Sequence, residues 1–136
     1  MRRDAGDRMR TAWAIVLIAS LSFVSLKAAD AVKGKANFVR CAACHTLRAE
    51  LKNVLGPTLE SVFGRRAGSR EDYRYSPAMR RSAIIWTADT IAAYLADPQG
   101  YIRNNRMPFE GIKDAAERAD LIAYLEQATR IDPARP

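Results

Sequence analysis

Both cysteines and the only histidine of this chain stand within five consecutive residues, Cys41 to His45, with the sequence CAACH. A structural zinc site needs four ligands, and this motif supplies three. A thioredoxin-like pair of thiols expects a βαβ setting, and the surrounding sequence has no strand pattern. A disulfide between Cys41 and Cys44 is possible in an exported protein, but it would leave His45 without a role.

Covalent haem attachment is the interpretation that uses all three side chains. Two thiols three residues apart on one helical turn can add to the two vinyl groups of one haem, and the next residue can then present its imidazole to the iron. The motif therefore predicts one haem c as the cofactor. Cys41 and Cys44 are its predicted attachment sites, and His45 is the predicted first axial ligand of the iron.

The second axial ligand must come from elsewhere, because the chain has no other histidine and both cysteines are used. A methionine thioether is a soft ligand that suits iron and stabilises its reduced state. Met107 follows a helical pattern in a loop, where Pro108 fixes the adjacent backbone. We therefore predict Met107 as the second ligand and expect Met79 to fill a gap in the core.

The N-terminal residues 1–29 have the pattern of a secretory signal peptide. A basic segment precedes the uncharged residues 13–26, and small residues follow. We expect cleavage at about residues 28–31, export to the periplasm and a single haem domain over residues 30–136. An uncleaved signal anchor is the competing interpretation, although the apolar run is shorter than the roughly 20 residues that a spanning helix needs.

The exported part predicts an all-α fold with three main helices. The first is capped by Asp30 and runs to about Arg40, the second follows Thr87 and ends at Pro98, and the third runs from about Ala115 to Thr129. The cap of the third helix is a variant capping box formed by Asp114 and Glu117. On the first helix, the predicted apolar side consists of Val32, Ala36 and Val39.

Residues 46–85 have no regular pattern and predict a long irregular loop, which is uncommon in a compact domain. A domain of this size with so much loop would be marginally stable unaided. We therefore expect the loops to wrap around the covalently bound haem, which would serve as much of the core.

Five segments resemble the class I c-type cytochromes of the mitochondrial and purple-bacterial type. They are KGKANFVRCAACHT, LGPTLESVFGRRAG, Trp86 with TIAAYLADPQGYI, RMPFEGIK and ERADLIAYL. The resemblance covers nearly all of residues 31–129 and implies the small cytochrome c fold. It also implies that Gly34 and Phe38 cross the last helix at Leu121 and Tyr124, since glycine permits close helix approach.

The resemblance implies further contacts with the haem. The Pro57 carbonyl would accept a hydrogen bond from His45 Nδ1 and orient the imidazole. The side chains implied to bind and neutralise the haem propionates are Arg65, Tyr75 and Trp86. The side chains implied to line the apolar pocket are Leu59, Tyr94, Leu95 and Phe109.

Three residues depart from the usual pattern of that family. Met79 stands where the mitochondrial-type proteins usually have an asparagine bonded around an internal water, so we expect the buried water network to differ. Asn105 stands where threonine is common, and Arg106 replaces a frequent lysine. We expect these changes to alter the strength of the bond between Met107 and the iron.

The net charge is +7, of which residues 1–29 carry +3 and the rest +4, without a long basic run. This pattern argues against nucleic-acid binding and suits a redox partner with an acidic docking surface. The expected docking residues are Lys35, Arg40, Lys52, Arg106 and Lys113.

We therefore expect a monomeric periplasmic carrier that shuttles one electron at a time between respiratory or photosynthetic complexes, or periplasmic dehydrogenases and oxidases. Two occupied axial positions leave no site for a small-molecule substrate, so no enzyme activity is expected. Membrane contact is expected only transiently or through partner complexes. The alternatives are a haem enzyme or ligand sensor with a labile Met107, and a signal-anchored, membrane-tethered carrier.

Overall fold

A computed structural model describes residues 28–51 and 55–130 of the chain. Most of the predicted signal peptide and the predicted docking residue Lys52 lie outside these ranges. Within them, the single extended pairing is an antiparallel bridge between Arg66 and Ile85. The all-α prediction is therefore confirmed. No helix in these ranges has the length and apolarity needed to span a membrane.

Six helices follow one another along the described chain. They are α1 (Ala31–Asn37), α2 (Val39–Ala42), α3 (Pro77–Arg81), α4 (Ala88–Ala96), α5 (Pro98–Tyr101) and α6 (Ala115–Ala128). The three longest, α1, α4 and α6, are the three predicted from the sequence. The first is shorter than predicted, because a turn at Phe38 separates α1 from α2.

The predicted caps begin these three helices. The Asp30 carboxylate accepts hydrogen bonds from the first turn of α1. Thr87 and Thr90 form a reciprocal capping box at the start of α4. The Asp114 carboxylate accepts the N–H of Glu117 at 2.8 Å and starts α6, whereas the Glu117 carboxylate pairs with Arg40 instead of completing the predicted capping box. Each cap satisfies backbone donors that have no partner within the helix.

Two short helices are absent from the prediction. Ser76 caps α3 by accepting the N–H of Met79 at 3.1 Å, and Pro77 follows in the first turn. Asp97 and Pro98 repeat this arrangement at α5. A polar cap followed by proline is a known signal of a helix start. The prediction of a wholly irregular segment before α4 was therefore wrong at α3.

The crossing of α1 and α6 depends on Gly34. A Cβ atom at this position would lie 1.9 Å from the backbone oxygen of Asp120 and 2.8 Å from Tyr124 Cβ. Beside it, the rings of Phe38 and Tyr124 pack with centroids 5.6 Å apart. Leu121 is completely buried. The predicted crossing is therefore confirmed, and the two backbones approach too closely for any side chain at residue 34.

The predicted apolar side of α1 is wrong. Val32 and Val39 are 81% and 71% exposed, whereas Gly34 and the following Phe38 are buried. The close backbone contact at Gly34 decides which side of α1 faces α6. Because glycine carries no side chain, the pattern of apolar side chains in the sequence does not indicate that contact.

The core lies between α1, α4 and α6. Its buried residues are Phe38, Val62, Ile91, Leu95, Ile112, Leu121, Ile122 and Leu125. Partly buried Trp86, Met107 and Phe109 pack against it. The core therefore extends from the helix crossing towards the loop that carries Met107.

Candidate functional site

A cavity of about 210 Å³ borders the core, and its wall contains all twelve residues that the sequence predicts to contact the haem. They are Cys41, Cys44, His45, Pro57, Leu59, Arg65, Tyr75, Trp86, Tyr94, Leu95, Met107 and Phe109. Exposed Leu55 and Arg106 also line it, so the cavity reaches the molecular surface.

The two thiols and the imidazole lie on one turn at the end of α2. The N–H groups of Cys44 and His45 both donate to the carbonyl of Cys41, at 3.0 and 2.8 Å. Both cysteines are free, unlike in the disulfide alternative. Burial raises the pKa of the Cys41 thiol, and nearby Arg40 offsets this only in part. The turn therefore presents two thiols and an imidazole to one cavity, as haem attachment requires.

His45 is held in one tautomer. Its Nδ1 atom lies 2.7 Å from the carbonyl oxygen of Pro57. Because a carbonyl oxygen can only accept, Nδ1 carries the proton and Nε2 keeps a lone pair. Burial lowers the pKa of His45, and the bond to Pro57 opposes this only in part. Neutral His45 is therefore in the form that an iron ligand needs.

Space for the His45 ring depends on Gly56. A Cβ atom at this position would lie 2.9 Å from His45 Cε1 and 2.7 Å from the carbonyl oxygen of Cys44. Any side chain would therefore push against both the imidazole and the turn that carries it. The role of Gly56 has no signal in the sequence, because it depends on this contact between segments.

Asn105 holds the backbone beside Met107. Its buried amide nitrogen donates to the carbonyls of Pro98 and Ile102, at 2.7 and 2.9 Å. Its Oδ1 atom accepts the N–H of Met107 at 2.8 Å. Gln99 Nε2 adds a contact of 3.4 Å to the Met107 carbonyl. The loop that carries Met107 is therefore tied to α5 through side chains.

This role of Asn105 goes beyond its departure from the threonine that is common at this position. A signal for its role was present, because asparagine often bonds to the backbone two residues further along the chain. That local bond is the one formed with Met107.

Tyr94 contacts the sulfur of Met107. The Tyr94 hydroxyl lies 3.5 Å from Met107 Sδ. Burial raises the pKa of Tyr94, so the hydroxyl keeps its proton and can donate a hydrogen bond to the thioether. The Tyr94 ring packs against Trp86 with centroids 5.2 Å apart, which fixes its direction. Tyr94 therefore positions the side chain that the sequence predicts as the second axial ligand.

Replacing Tyr94 with phenylalanine is expected to lower the reduction potential of the haem protein. The hydroxyl withdraws electron density from the Met107 sulfur, and its loss makes the thioether a better donor to ferric iron. Spectroelectrochemical titration of both proteins measures this change. An unchanged or higher potential would contradict a hydrogen bond from Tyr94 to Met107. Tyr101→Phe is the control, because Tyr101 contacts the Tyr94 ring without lining the cavity.

Arg65 is held by the loop that precedes it. Its guanidinium donates to the carbonyls of Glu60 and Thr58, at 2.6 and 3.2 Å. Backbone bonds join the Trp86 N–H to the Arg65 carbonyl at 2.9 Å, which brings these two residues to one side of the cavity. Tyr75 is buried and lines the same cavity. This arrangement leaves other guanidinium protons for a carboxylate in the cavity, and the propionate role of the three residues stays a prediction.

Met79 lies on the cavity wall rather than wholly inside the core. The position of Met79 is set by α3, where its N–H is bonded to Ser76 Oγ. The cavity therefore contains two methionines, Met79 and Met107. The expected change in the water network stays a prediction.

The described residues include four of the five predicted docking residues, Lys35, Arg40, Arg106 and Lys113. Arg40 and Arg106 line the cavity, but Arg40 forms an ion pair with Glu117. Lys113 Nζ donates to the Ala96 carbonyl at 2.7 Å and lies outside the cavity wall. Of these four described cations, two line the cavity and two do not.

Comparison with known proteins gives consistent matches over this domain. Residues 31–129 match the family model described as Cytochrome c. The chain is 45% identical over 102 residues to a cytochrome c of Cochliobolus lunatus, covering 74% of this chain and 94% of that protein. It is 44% identical over 102 residues to a cytochrome c of Arabidopsis thaliana, covering 74% and 91%. It is 37% identical over 112 residues to cytochrome c2 of Blastochloris viridis, covering 82% and 88%.

Proposed function

The chain belongs to the cytochrome c family, and on this premise we propose that it is a periplasmic one-electron carrier whose iron is bound by His45 and Met107. As a member of the family, it is a haem-containing electron carrier that acts with redox protein partners. Its cofactor is covalently attached haem c. When bound, the haem iron supplies the one-electron redox chemistry.

The proposal is supported by the set of possible haem-binding side chains that line one cavity. Two free thiols, a neutral imidazole with a lone pair on Nε2 and a thioether all line it. This set matches what a covalently attached, six-coordinate haem needs. In the proposal, Cys41 and Cys44 hold the macrocycle, while His45 and Met107 hold the iron.

We propose an electron carrier without enzyme activity. Met107 is restrained at three atoms, its N–H by Asn105, its carbonyl by Gln99 and its sulfur by Tyr94. A restrained ligand keeps the second axial position closed to small molecules, and a rigid site needs little rearrangement when the electron is transferred.

An optical spectrum tests this function against a haem enzyme or ligand sensor. The holoprotein is expected to be low-spin in both oxidation states, with the weak near-infrared band of a bond between methionine and ferric iron. It is expected not to bind carbon monoxide at neutral pH. A high-spin spectrum or ready carbon monoxide binding would favour the enzyme or sensor instead.

The signal pattern of residues 1–29 supports export, and contacts of Asp30 limit where the mature chain can begin. The Asp30 carboxylate caps α1, and its N–H donates to Asp120 Oδ1 at 2.6 Å. Cleavage after Ala31 would remove both contacts. We therefore expect the exported protein to begin at Ala29 or Asp30.

Intact mass of the exported holoprotein measures this prediction. The expected mass is that of the shortened chain plus one haem. A chain that begins after Ala31 would contradict the role given to Asp30. A chain that keeps residues 1–29 would favour the membrane-tethered carrier.

A further inference from the structure

The positive charge of the haem domain is concentrated in one segment. Residues 65–81 contain six arginines and no lysine, with Glu71 and Asp72 as the only acidic residues, which gives a net charge of +4. This equals the net charge of all residues 30–136, so the remainder of the domain is balanced. The sequence therefore places its whole excess of positive charge on arginines of one segment.

Four of these six guanidinium groups are exposed and not committed to a carboxylate. Arg65 donates to backbone carbonyls, and Arg70 is bonded to Asp72 at 2.8 and 2.5 Å. The other four, together with Arg106, form what we call the arginine face: Arg66, Arg74, Arg80, Arg81 and Arg106. Across residues 28–51 and 55–130, no carboxylate lies within ion-pair distance of these five.

Backbone contacts bring the arginine face together. Gly68 packs so closely that a Cβ atom there would lie 2.8 Å from Arg80 Cα. Arg66 lies two residues before that contact and pairs with Ile85. Arg106 Nη1 donates to the Arg74 carbonyl at 3.2 Å. Three separate stretches of the chain are thereby joined.

The arginine face adjoins the haem cavity. Tyr73, Tyr75, Ser76 and Met79, from the same segment, line the cavity wall. Arg106 lines it as well, directly before Met107. A partner bound to these arginines would therefore lie beside the cavity.

A different part of the molecule carries acidic groups. Asp30, Asp114, Glu117 and Asp120 line a surface groove between the start of α1 and α6. This groove, which also contains Lys33, and the arginine face thus differ in the sign of their net charge. Such an asymmetry orients an approaching charged partner before contact.

The residue types favour a protein partner. Arginine binds carboxylates through two parallel hydrogen bonds, and arginine and tyrosine are enriched in protein interfaces whereas lysine is depleted. Exposed apolar side chains stand next to the charges, since Ile85 is 46% exposed beside Arg66. A mixture of guanidinium groups and exposed apolar side chains is typical of a protein interface.

We propose that the arginine face, which includes the predicted docking residue Arg106, is the docking surface for a redox protein with clustered carboxylates, and that the predicted Lys35 and Lys113 contribute little to docking. The proposal rests on the proposed electron-carrier function. It specifies protein carboxylates, paired by guanidinium groups, as the chemistry that is recognised.

Binding of the holoprotein to poly-L-glutamate at low salt tests the proposal. The double variant Arg80→Glu with Arg81→Glu is expected to weaken binding about tenfold, because two pairs become repulsive. The control Lys35→Glu with Lys113→Glu makes the same change of charge elsewhere and is expected to weaken binding about twofold or less. Equal weakening by both variants, or weakening by the control alone, would overturn the proposal.

A charge-preserving variant tests the pairing geometry. Arg80→Lys with Arg81→Lys keeps the charge but loses the planar fork, so binding to poly-L-glutamate is expected to weaken about threefold. Unchanged binding would overturn the assignment to paired carboxylates.

Vesicles of phosphatidylglycerol distinguish a lipid surface from a protein partner. If the holoprotein binds these vesicles through the arginine face and does not bind poly-L-glutamate, the face recognises phosphate and the proposal is wrong. The optical spectrum of each sample is recorded in parallel. Loss of the low-spin spectrum reports failure of the proposed haem ligation, and that readout is independent of the binding result.

Discussion

Replacing Met107 with alanine is expected to convert the haem from low-spin to high-spin and to allow carbon monoxide to bind. The thioether of Met107 is the proposed second axial ligand, and its removal leaves that face of the iron without this ligand. Met ligation raises the reduction potential, so its loss is also expected to lower the potential by on the order of 0.1 V. Absorption spectra with and without carbon monoxide measure the change.

Met79→Ala is the matched control. Met79 has the same chemistry, lines the same cavity and is removed by the same substitution. It is expected to keep the low-spin spectrum, because its role is packing against the cavity wall. A high-spin spectrum for Met79→Ala with an unchanged Met107→Ala would reverse the assignment of the ligand. Helix content from circular dichroism separates a ligand effect from unfolding in both variants.

Cys41, Cys44 and His45 could be predicted because attachment chemistry depends on short, fixed sequence spacing, whereas the residues of the apolar pocket and the propionate side were implied by the family resemblance. Cys41, Cys44 and His45 must share one turn to reach one haem, so the motif itself encodes their geometry. Helix caps are local in the same way, and Asp30 and Asp114 were found where the pattern placed them. Local signals of this kind can be recognised in the sequence without knowledge of the tertiary structure.

Features that depend on contacts between distant segments could not be predicted. The role of Asn105 depends on where the carbonyls of Pro98 and Ile102 end up, and residue type alone gives only one of its three bonds. The arginine face depends on Arg106 reaching a loop that lies 32 residues earlier. A charge count along the sequence finds residues 65–81, but only the fold joins them to the cavity.

Replacing Gly34 with alanine is expected to destabilise the holoprotein by about 3 kcal/mol. A Cβ atom there would overlap the Asp120 carbonyl oxygen, which lies 1.9 Å from its position, and a backbone atom cannot rotate away. The clash would force α1 away from α6, exposing Phe38 and weakening the bond between the Asp30 N–H and Asp120. Guanidinium unfolding followed by circular dichroism measures the loss.

The sign of the change in stability distinguishes a steric effect of the close helix crossing from an effect of helix propensity. At an unhindered position inside a helix, glycine to alanine stabilises by about 1 kcal/mol. Exposed Ala36 on the same helix supplies the control, and Ala36→Gly is expected to cost about 1 kcal/mol for that reason. If Gly34→Ala instead stabilised the protein, α1 and α6 would not approach as closely as described. A loss at Gly34 that exceeds the loss at Ala36 can come only from steric contact, because propensity predicts the opposite direction at Gly34.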